Sequence, residues 1–215
     1  MRTIYAVTHT EATHHVDKLV GGWYDSQLTP AGRRDAAAVG RVLRAEIPAG
    51  ADVEVISSDS LRAQQTAEKV SDLLGVTTVL DRRLREKSYG EAEGRPRQWL
   101  DRRFIPPPAT GDRMGHYEGM RGGETRGECA QRVYAAMAEI LARDCEYQII
   151  VTHGFALTFV IAAWIKMPFE ALGSVSFRVA SGSITTLRED DFYHNRQVVS
   201  LGDTRHLGDT RHLGT

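Results

Sequence analysis

In TIYAV (3–7) an apolar run from Ile4 to Val7 stops at Thr8, where a polar stretch with three histidines begins. A β-branched and aromatic run that ends so sharply predicts a buried strand. The same reading predicts strands at VEVIS (53–57), VTTVL (76–80) and YQIIVT (147–152), and shorter ones at SVSFRVA (174–180), GSITTLRE (182–189) and RQVVSL (196–201). Between them the period changes to helical. Thr29-Pro30 makes a good helix start, and AGRRDAAAVGRVLRAEI continues it with Val39, Val42, Leu43 and Ile47 on one face. SDSLRAQQTAEKVSDLLG (58–75) predicts a helix capped by Ser58 or Asp59 and stopped at Gly75. Glu124 to Arg143 and a segment from Phe155 predict two more. Strands alternating with helices imply a three-layer α/β/α sandwich around a mostly parallel sheet.

Residues 87–122 break this rhythm. They are rich in Gly, Pro and Arg, contain IPPPATG, and offer only a short helix near PRQWLDRRF. A loop of this length in a compact domain is expected to line a site, as a lid or insertion. The chain ends in a duplication, LGDTRH at 201–206 and again at 207–212, too short for a solenoid. One domain over 1–207, followed by a disordered tail at 208–215, is the expected organisation.

Composition narrows the classes. Among 215 residues 41% are hydrophobic and 26% charged, with a net charge of −1, which is the balance of a globular protein and no electrostatic lure for nucleic acid or membrane. The longest apolar stretch, FALTFVIAAWI (155–165), falls well short of the roughly 20 residues of a membrane-spanning helix. The N-terminal apolar run is too short for a signal peptide. Cys129 and Cys145 lack metal-ligand spacing and read as free thiols. A cytoplasmic location follows as the expectation.

The chemistry gathers at strand ends. His9 follows the first strand, and His153 follows YQIIV in VTHGFAL. In open α/β sheets the carboxyl ends of strands collect the ligand site. VEVIS ends at Ser57-Ser58 with Arg62 one turn into the next helix, and Glu86 follows the third strand. Two imidazoles, a guanidinium and a carboxylate on one rim suit an anionic tetrahedral group: imidazole to attack, arginine to hold oxygens, carboxylic acid to protonate the leaving oxygen. A metal site from His9, His14 and His15 would need a special loop, because neighbours in an extended chain point oppositely. No metal or other cofactor is expected.

THTEATHH, GGWYDSQLTPAGRRDA, SSDSLRAQQTA, LREKSYGEAEG, GGET and VTHG occur in the order and spacing of the histidine phosphatase superfamily, the phosphoglycerate mutase-like proteins, which the chain resembles over about residues 3–207. GGWYDSQLTPAG is especially close to the cofactor-dependent mutases. The resemblance implies a six-stranded sheet flanked by helices, His9 as the nucleophile that becomes phosphohistidine, and Glu86 as proton donor. It makes Arg62 and His153 phosphate-pocket residues, with Gly154 and Phe155 at the pocket wall. Thr8, Thr10, His15, Gly22 and Tyr89 complete the expected binding set, and Arg102 and Arg103 in the lid could clamp a carboxylate or second phosphate. The family's opening is Arg-His-Gly, and here it is Thr8-His9-Thr10. The expected activity is hydrolysis of a small phosphorylated metabolite. Two alternatives stay open: a repurposed member doing acid–base chemistry without phosphoryl transfer, and a non-catalytic anion-binding protein. Sheet-edge strands make a homodimer possible.

Overall fold

A computed structural model describes residues 1–208. Six strands form one sheet: β1 (Arg2–Thr8), β2 (Val53–Ser57), β3 (Thr78–Leu80), β4 (Tyr147–Thr152), β5 (Ile184–Glu189) and β6 (Arg196–Asp203). The spatial order is β3-β2-β4-β1-β5-β6. β3, β2, β4 and β1 run parallel, while β5 and β6 are antiparallel additions. Six helices accompany them: α1 (Thr13–Val16), α2 (Pro30–Glu46), α3 (Leu61–Leu74), α4 (Arg97–Asp101), α5 (Arg126–Ala142) and α6 (Gly154–Trp164).

β1 is covered on both faces, which explains its unbroken apolar run. Ile4 and Ala6 face a core shared with α5 and α6, including Met137, Ile140, Phe159 and Trp164. Tyr5 and Val7 face the opposite core, with Val39 and Leu43 from α2 and Ala63 and Val70 from α3. The alternation is the two-residue period of a strand sorting its side chains between layers. No helix among the described residues is long and apolar enough to cross a membrane.

Local chemistry sets the helix ends. The Thr29 hydroxyl accepts from the Gly32 amide at 3.0 Å, with Pro30 opening α2. Thr125 and Glu128 form a reciprocal capping box on α5. Gly75 ends α3 in the left-handed conformation at φ 71°. The expected cap of α3 at Ser58 or Asp59 shifts to Ser60, because Ser58 and Asp59 are otherwise engaged. Ser58 bonds His153, Asp59 pairs with Arg85 at 2.6 Å, and the Leu61 amide is met by Asp25 at 2.8 Å.

One expectation needs correction. SVSFRVA forms no strand: its backbone groups go to side chains, the Phe177 amide to the Thr158 hydroxyl at 3.2 Å and the Val175 carbonyl to Arg126. The 87–122 insertion is packed, with Ala92, Leu100 and Met120 meeting Val20 of the loop after β1 in a small core. The nearly buried Lys87 pairs with Glu118 beneath it, and Ile105 donates to the Glu118 carbonyl at 3.0 Å. The first LGDTRH copy finishes β6 and enters a short 3-10 turn. The disorder expected of the tail falls almost wholly on 209–215, which lie outside the described residues.

Candidate active site

Sheet order brings the two histidines together. β1 and β4 are parallel neighbours with Thr8 opposite Thr152, so the chain leaves both strands at adjacent points. The His9 amide donates to the Thr152 carbonyl at 2.9 Å, and the His9 and His153 rings meet edge to face with centroids 5.0 Å apart. β2 lies on the other side of β4, and the Ser58 amide donates to the Val151 carbonyl. That places the start of α3, and with it Arg62, beside both imidazoles.

Hydrogen bonds decide which nitrogen of His9 carries the proton. Nδ1 lies 2.8 Å from the Thr10 carbonyl, which can only accept, so Nδ1 is the N–H. Nε2 is left with the lone pair, and Arg62 Nε donates to it at 3.2 Å. Burial first, then Arg62 and His15, pulls the His9 pKa well below the usual histidine range. The result is a neutral imidazole with its nucleophilic nitrogen defined.

Arg62 is fully buried. Its other donors reach the carbonyls of Tyr24 at 2.8 Å and Gly22 at 2.7 Å. These three acceptors are uncharged, and burial lowers the guanidinium pKa. A buried cation held by neutral groups favours an anion beside it. Gly22 sits at φ +55°, and a Cβ there would come within 2.9 Å of Glu93 Oε1, so the carbonyl that anchors Arg62 depends on glycine.

His153 is completely buried. Nε2 lies 2.9 Å from the Ser58 hydroxyl, while Nδ1 has no partner. Burial, then Arg62, holds its pKa well below the ordinary value. Glu86 takes three backbone N–H groups: Lys87 at 2.9 Å and Ala156 at 3.1 Å on Oε1, and Phe155 at 3.0 Å on Oε2. Its carboxylate thereby caps the first turn of α6, where the helix dipole favours negative charge. Trp23 and Arg132 both donate to its backbone carbonyl.

A cavity of about 290 Å³ opens here, lined by Thr8, His9, His15, Gly22, Arg62, Glu86, Tyr89 and Gly154 among the expected residues. His153 is reached through its contact with His9. Thr10 is placed elsewhere: its hydroxyl donates to the Gly32 carbonyl at 2.8 Å, under the loop. Phe155 contributes its amide, while its ring lies beneath Lys87 and Arg126. Arg102 and Arg103 are exposed beyond the end of α4, where Arg103 covers the Trp99 ring, so the expected clamp does not line this cavity. Arg97, at the start of α4, does line it. Thr8 lines it too, yet its hydroxyl donates to the Ala180 carbonyl at 2.7 Å and accepts from the Ser183 amide at 3.2 Å.

A sequence profile of the Histidine phosphatase superfamily (branch 1) matches residues 4–203. The chain belongs to that superfamily. It is 31% identical over 214 residues to a probable phosphoglycerate mutase GpmB of Yersinia pestis, covering 96% of this chain and 95% of the relative. Among solved structures of the superfamily fold, Bacillus stearothermophilus YhfR superposes with a TM-score of 0.76 at 27% identity, covering 97% of this chain and all of that one. A mycobacterial glucosyl-3-phosphoglycerate phosphatase, solved as a complex with VO3, has a TM-score of 0.76 at 25% identity over 95% of this chain and all of that one.

Sequence reasoning missed Leu19, Gly21, Val179, Ala180 and Ser181 in the lining. Residues 179–181 reach the site through the Thr8 hydroxyl and through Ser181, which donates to the His9 carbonyl at 2.8 Å. Nothing in the local pattern of 174–181 signals a pairing across some 170 residues. His14 also lines the cavity, with Nδ1 2.6 Å from the Ser26 hydroxyl. Burial, then His15 and Arg62, takes its pKa down to about 3.

Proposed function

We propose that the protein hydrolyses a small phosphorylated metabolite through a phosphohistidine on His9. One observation carries this reading: the neutral His9 presents a lone pair on Nε2 beside a buried arginine whose hydrogen-bond acceptors are all uncharged. His9 Nε2 attacks phosphorus, and Arg62 Nε passes from the imidazole to a phosphoryl oxygen as the lone pair is used. Glu86 is the proton donor to the departing alcohol, and the three backbone N–H groups it accepts stabilise the carboxylate left behind. In the second step Glu86 takes a proton from water, which attacks the phosphohistidine and releases phosphate and free His9. The unpartnered Nδ1 of His153 offers a further donor once its proton sits there and Nε2 accepts from Ser58. No metal enters this scheme.

Hydrolysis is favoured over mutase chemistry. A mutase must hold the phosphoryl group in a closed, strongly positive pocket until it is returned. Here the residue before the nucleophile is Thr8, and its hydroxyl is committed to Ala180 and Ser183. An arginine at that point would bring a charge-assisted bond of roughly 1.5–3 kcal/mol to a phosphate. The same commitment supports the second reading, acid–base chemistry by His9, His153 and Glu86 on an anion that transfers no phosphoryl group. The substrate in either case is a small anionic metabolite, taken through the face lined by His15 and Arg97.

The test is phosphate release from an aryl phosphate and a panel of sugar and glycerate phosphates, with His9→Ala as the comparison. The proposal expects release by the parent and a fall of at least about a thousandfold in the variant, since the nucleophile is gone. It also expects acid-labile, base-stable label on the parent after brief exposure to a ³²P-phosphorylated substrate. Equal rates for parent and variant on every substrate would reject it.

A further inference from the structure

Glu86 is held at two levels. Its carboxylate rests on the amides of Lys87, Phe155 and Ala156, and its backbone rests on an arginine 46 residues further along the chain. Residues 85–88 belong to no helix or strand, so their backbone carbonyls need other partners. Arg132 Nη1 donates to the carbonyls of Arg83 at 2.8 Å and Arg85 at 2.6 Å, and Nη2 to that of Glu86 at 2.7 Å. Its remaining N–H groups meet the Glu124 carboxylate, from Nε at 2.7 Å and from Nη2 at 2.8 Å. Each of the five guanidinium donors thus has an oxygen acceptor. Glu124 also grips Ser88 from both sides: Oε2 accepts from the Ser88 amide at 2.8 Å, and the Glu124 amide donates to the Ser88 carbonyl at 3.0 Å. One ion pair clamps the chain before and after Glu86.

We propose that the Arg132–Glu124 pair is the positioning device for Glu86, fixing the reach of its carboxylate and thereby which leaving groups the enzyme expels. This consequence rests on the phosphohistidine reading. A proton donor must lie within hydrogen-bond reach of the oxygen it serves. A misplacement of about 1 Å can cost about a hundredfold in rate. The clamp itself stands on a rigid base, because α5 carries Arg132 and buries Cys129, Val133 and Met137 in the core. On the far side the Trp23 indole donates to the same Glu86 carbonyl at 2.8 Å, while its neighbours Gly22 and Tyr24 supply the carbonyls that hold Arg62. The acid and the phosphate-binding arginine are therefore both anchored on one tripeptide. Lysine could not replace Arg132, since an ammonium has three donors and no planar fork.

Loosening Glu86 has a kinetic signature that general destabilisation lacks, because the residue acts twice. As acid it serves the leaving oxygen, and as base it activates water. With a sugar phosphate the departing alkoxide needs the proton, so kcat/KM, which reads phosphoryl transfer to His9, falls. With p-nitrophenyl phosphate the phenolate leaves without a proton, so kcat/KM holds. Hydrolysis of the phosphohistidine is slowed for both, and with the aryl ester kcat and KM then fall together. Loss of folded protein instead lowers kcat on both esters by one factor and leaves KM alone.

The experiment compares the full chain with Arg132→Lys, using both esters and ¹⁵N-resolved amide spectra. A fall of about tenfold to a hundredfold in kcat/KM is expected on the sugar phosphate turned over best, against less than about threefold on p-nitrophenyl phosphate. The amide signals of Phe155 and Ala156, which donate to Glu86, should move to new positions, as they should in Glu86→Gln. Glu124→Asp keeps the charge and shortens the reach by one methylene; it is expected to give the same pattern more weakly and serves if Arg132→Lys does not fold. Unmoved Phe155 and Ala156 signals in a folded variant would overturn the positioning role, whether or not the protein is a phosphatase. Moved signals with the same proportional fall on both esters would overturn the link to leaving groups. If Glu86→Gln itself makes no distinction between the esters, the acid assignment is the part that fails, and the amide signals still decide the clamp.

Discussion

Thr8→Val separates the two roles open to the residue before the nucleophile. Valine matches threonine in shape and branching, so the buried end of β1 keeps its packing and only the hydroxyl is lost. That hydroxyl serves two backbone groups, the Ala180 carbonyl at 2.7 Å and the Ser183 amide at 3.2 Å. Leaving a buried polar group unpaired costs roughly 1–3 kcal/mol. The Ser183 hydroxyl, 3.3 Å from Thr8 Oγ1, can turn toward the vacated carbonyl and relieve part of the loss. A net destabilisation of about 2 kcal/mol follows, or a fall of about 4–8 °C in Tm for a domain of this size. Urea unfolding followed by fluorescence measures the first and calorimetry the second. Because the hydroxyl is not free to meet a ligand, kcat/KM on the best phosphate ester should change by less than about threefold, under 1 kcal/mol. Stability within about 0.5 kcal/mol of the parent, together with a tenfold or greater fall in kcat/KM, would refute the structural assignment and make Thr8 a ligand-binding hydroxyl.

Acid should destabilise the fold well before carboxylates titrate. His9, His14 and His153 have folded pKa values depressed by burial, so between pH 6.5 and about 5 the unfolded chain binds protons that the folded chain refuses. Their contribution is complete above the unfolded pKa near 6.5 and is lost as pH falls, by up to about 1.4 kcal/mol per histidine per pH unit. Urea midpoints that stay flat from pH 7.5 to 5 would contradict this. Lys87→Met should cost about 3 kcal/mol, the lower end for breaking a buried pair, since Glu118 keeps some exposure. Converting Glu118 to Leu as well should restore part of that loss in the same unfolding assay. Gly32→Ala puts a Cβ 2.0 Å from the Glu11 carbonyl oxygen, where only backbone could yield. A loss above about 3 kcal/mol is expected, and a variant as stable as the parent would show that the Glu11–Thr29 contact is pliable.

The elements most readable in the sequence were those whose apolar pattern serves a single purpose. β1, β2 and β4 carry apolar residues at successive positions, Ile4 to Val7, Val55-Ile56 and Ile149 to Val151, because both faces of each are covered by helices. The segment 174–180 carries a strand-like alternation, Val175, Phe177 and Val179, for a different reason. Val179 and Phe177 pack against the α5–α6 core, while the intervening backbone is bound by Thr158 and Arg126 instead of a neighbouring strand. Periodicity reports burial, and burial alone does not say where the backbone hydrogen bonds go. The lid was opaque for a related reason. Arg97 opens α4 and faces the cavity, whereas Arg102 and Arg103 come after its last residue and face away. Five residues decide between them, and the sequence shows only a shared positive charge.

The site divides along the same line. His9, His153, Arg62 and Glu86 were legible because each sits at or just beyond the end of a strand, and the parallel register of β1, β4 and β2 converts position along the chain into position in space. Thr8 and the histidine pair were not, because their roles depend on contacts outside that register. Thr8 is claimed by a segment 172 residues away. His14 and His15 are turned to one side by a helical turn whose cap is Ala12, a residue with no capping side chain, and whose N-terminal amide is met by the His15 ring itself. The histidine that closes the turn is therefore also the one that brings a third imidazole to His9. A substitution that preserves the turn but removes the ring nitrogen would have to supply another acceptor for the Ala12 amide. The loop's shape and its chemistry are for that reason a single property of His15.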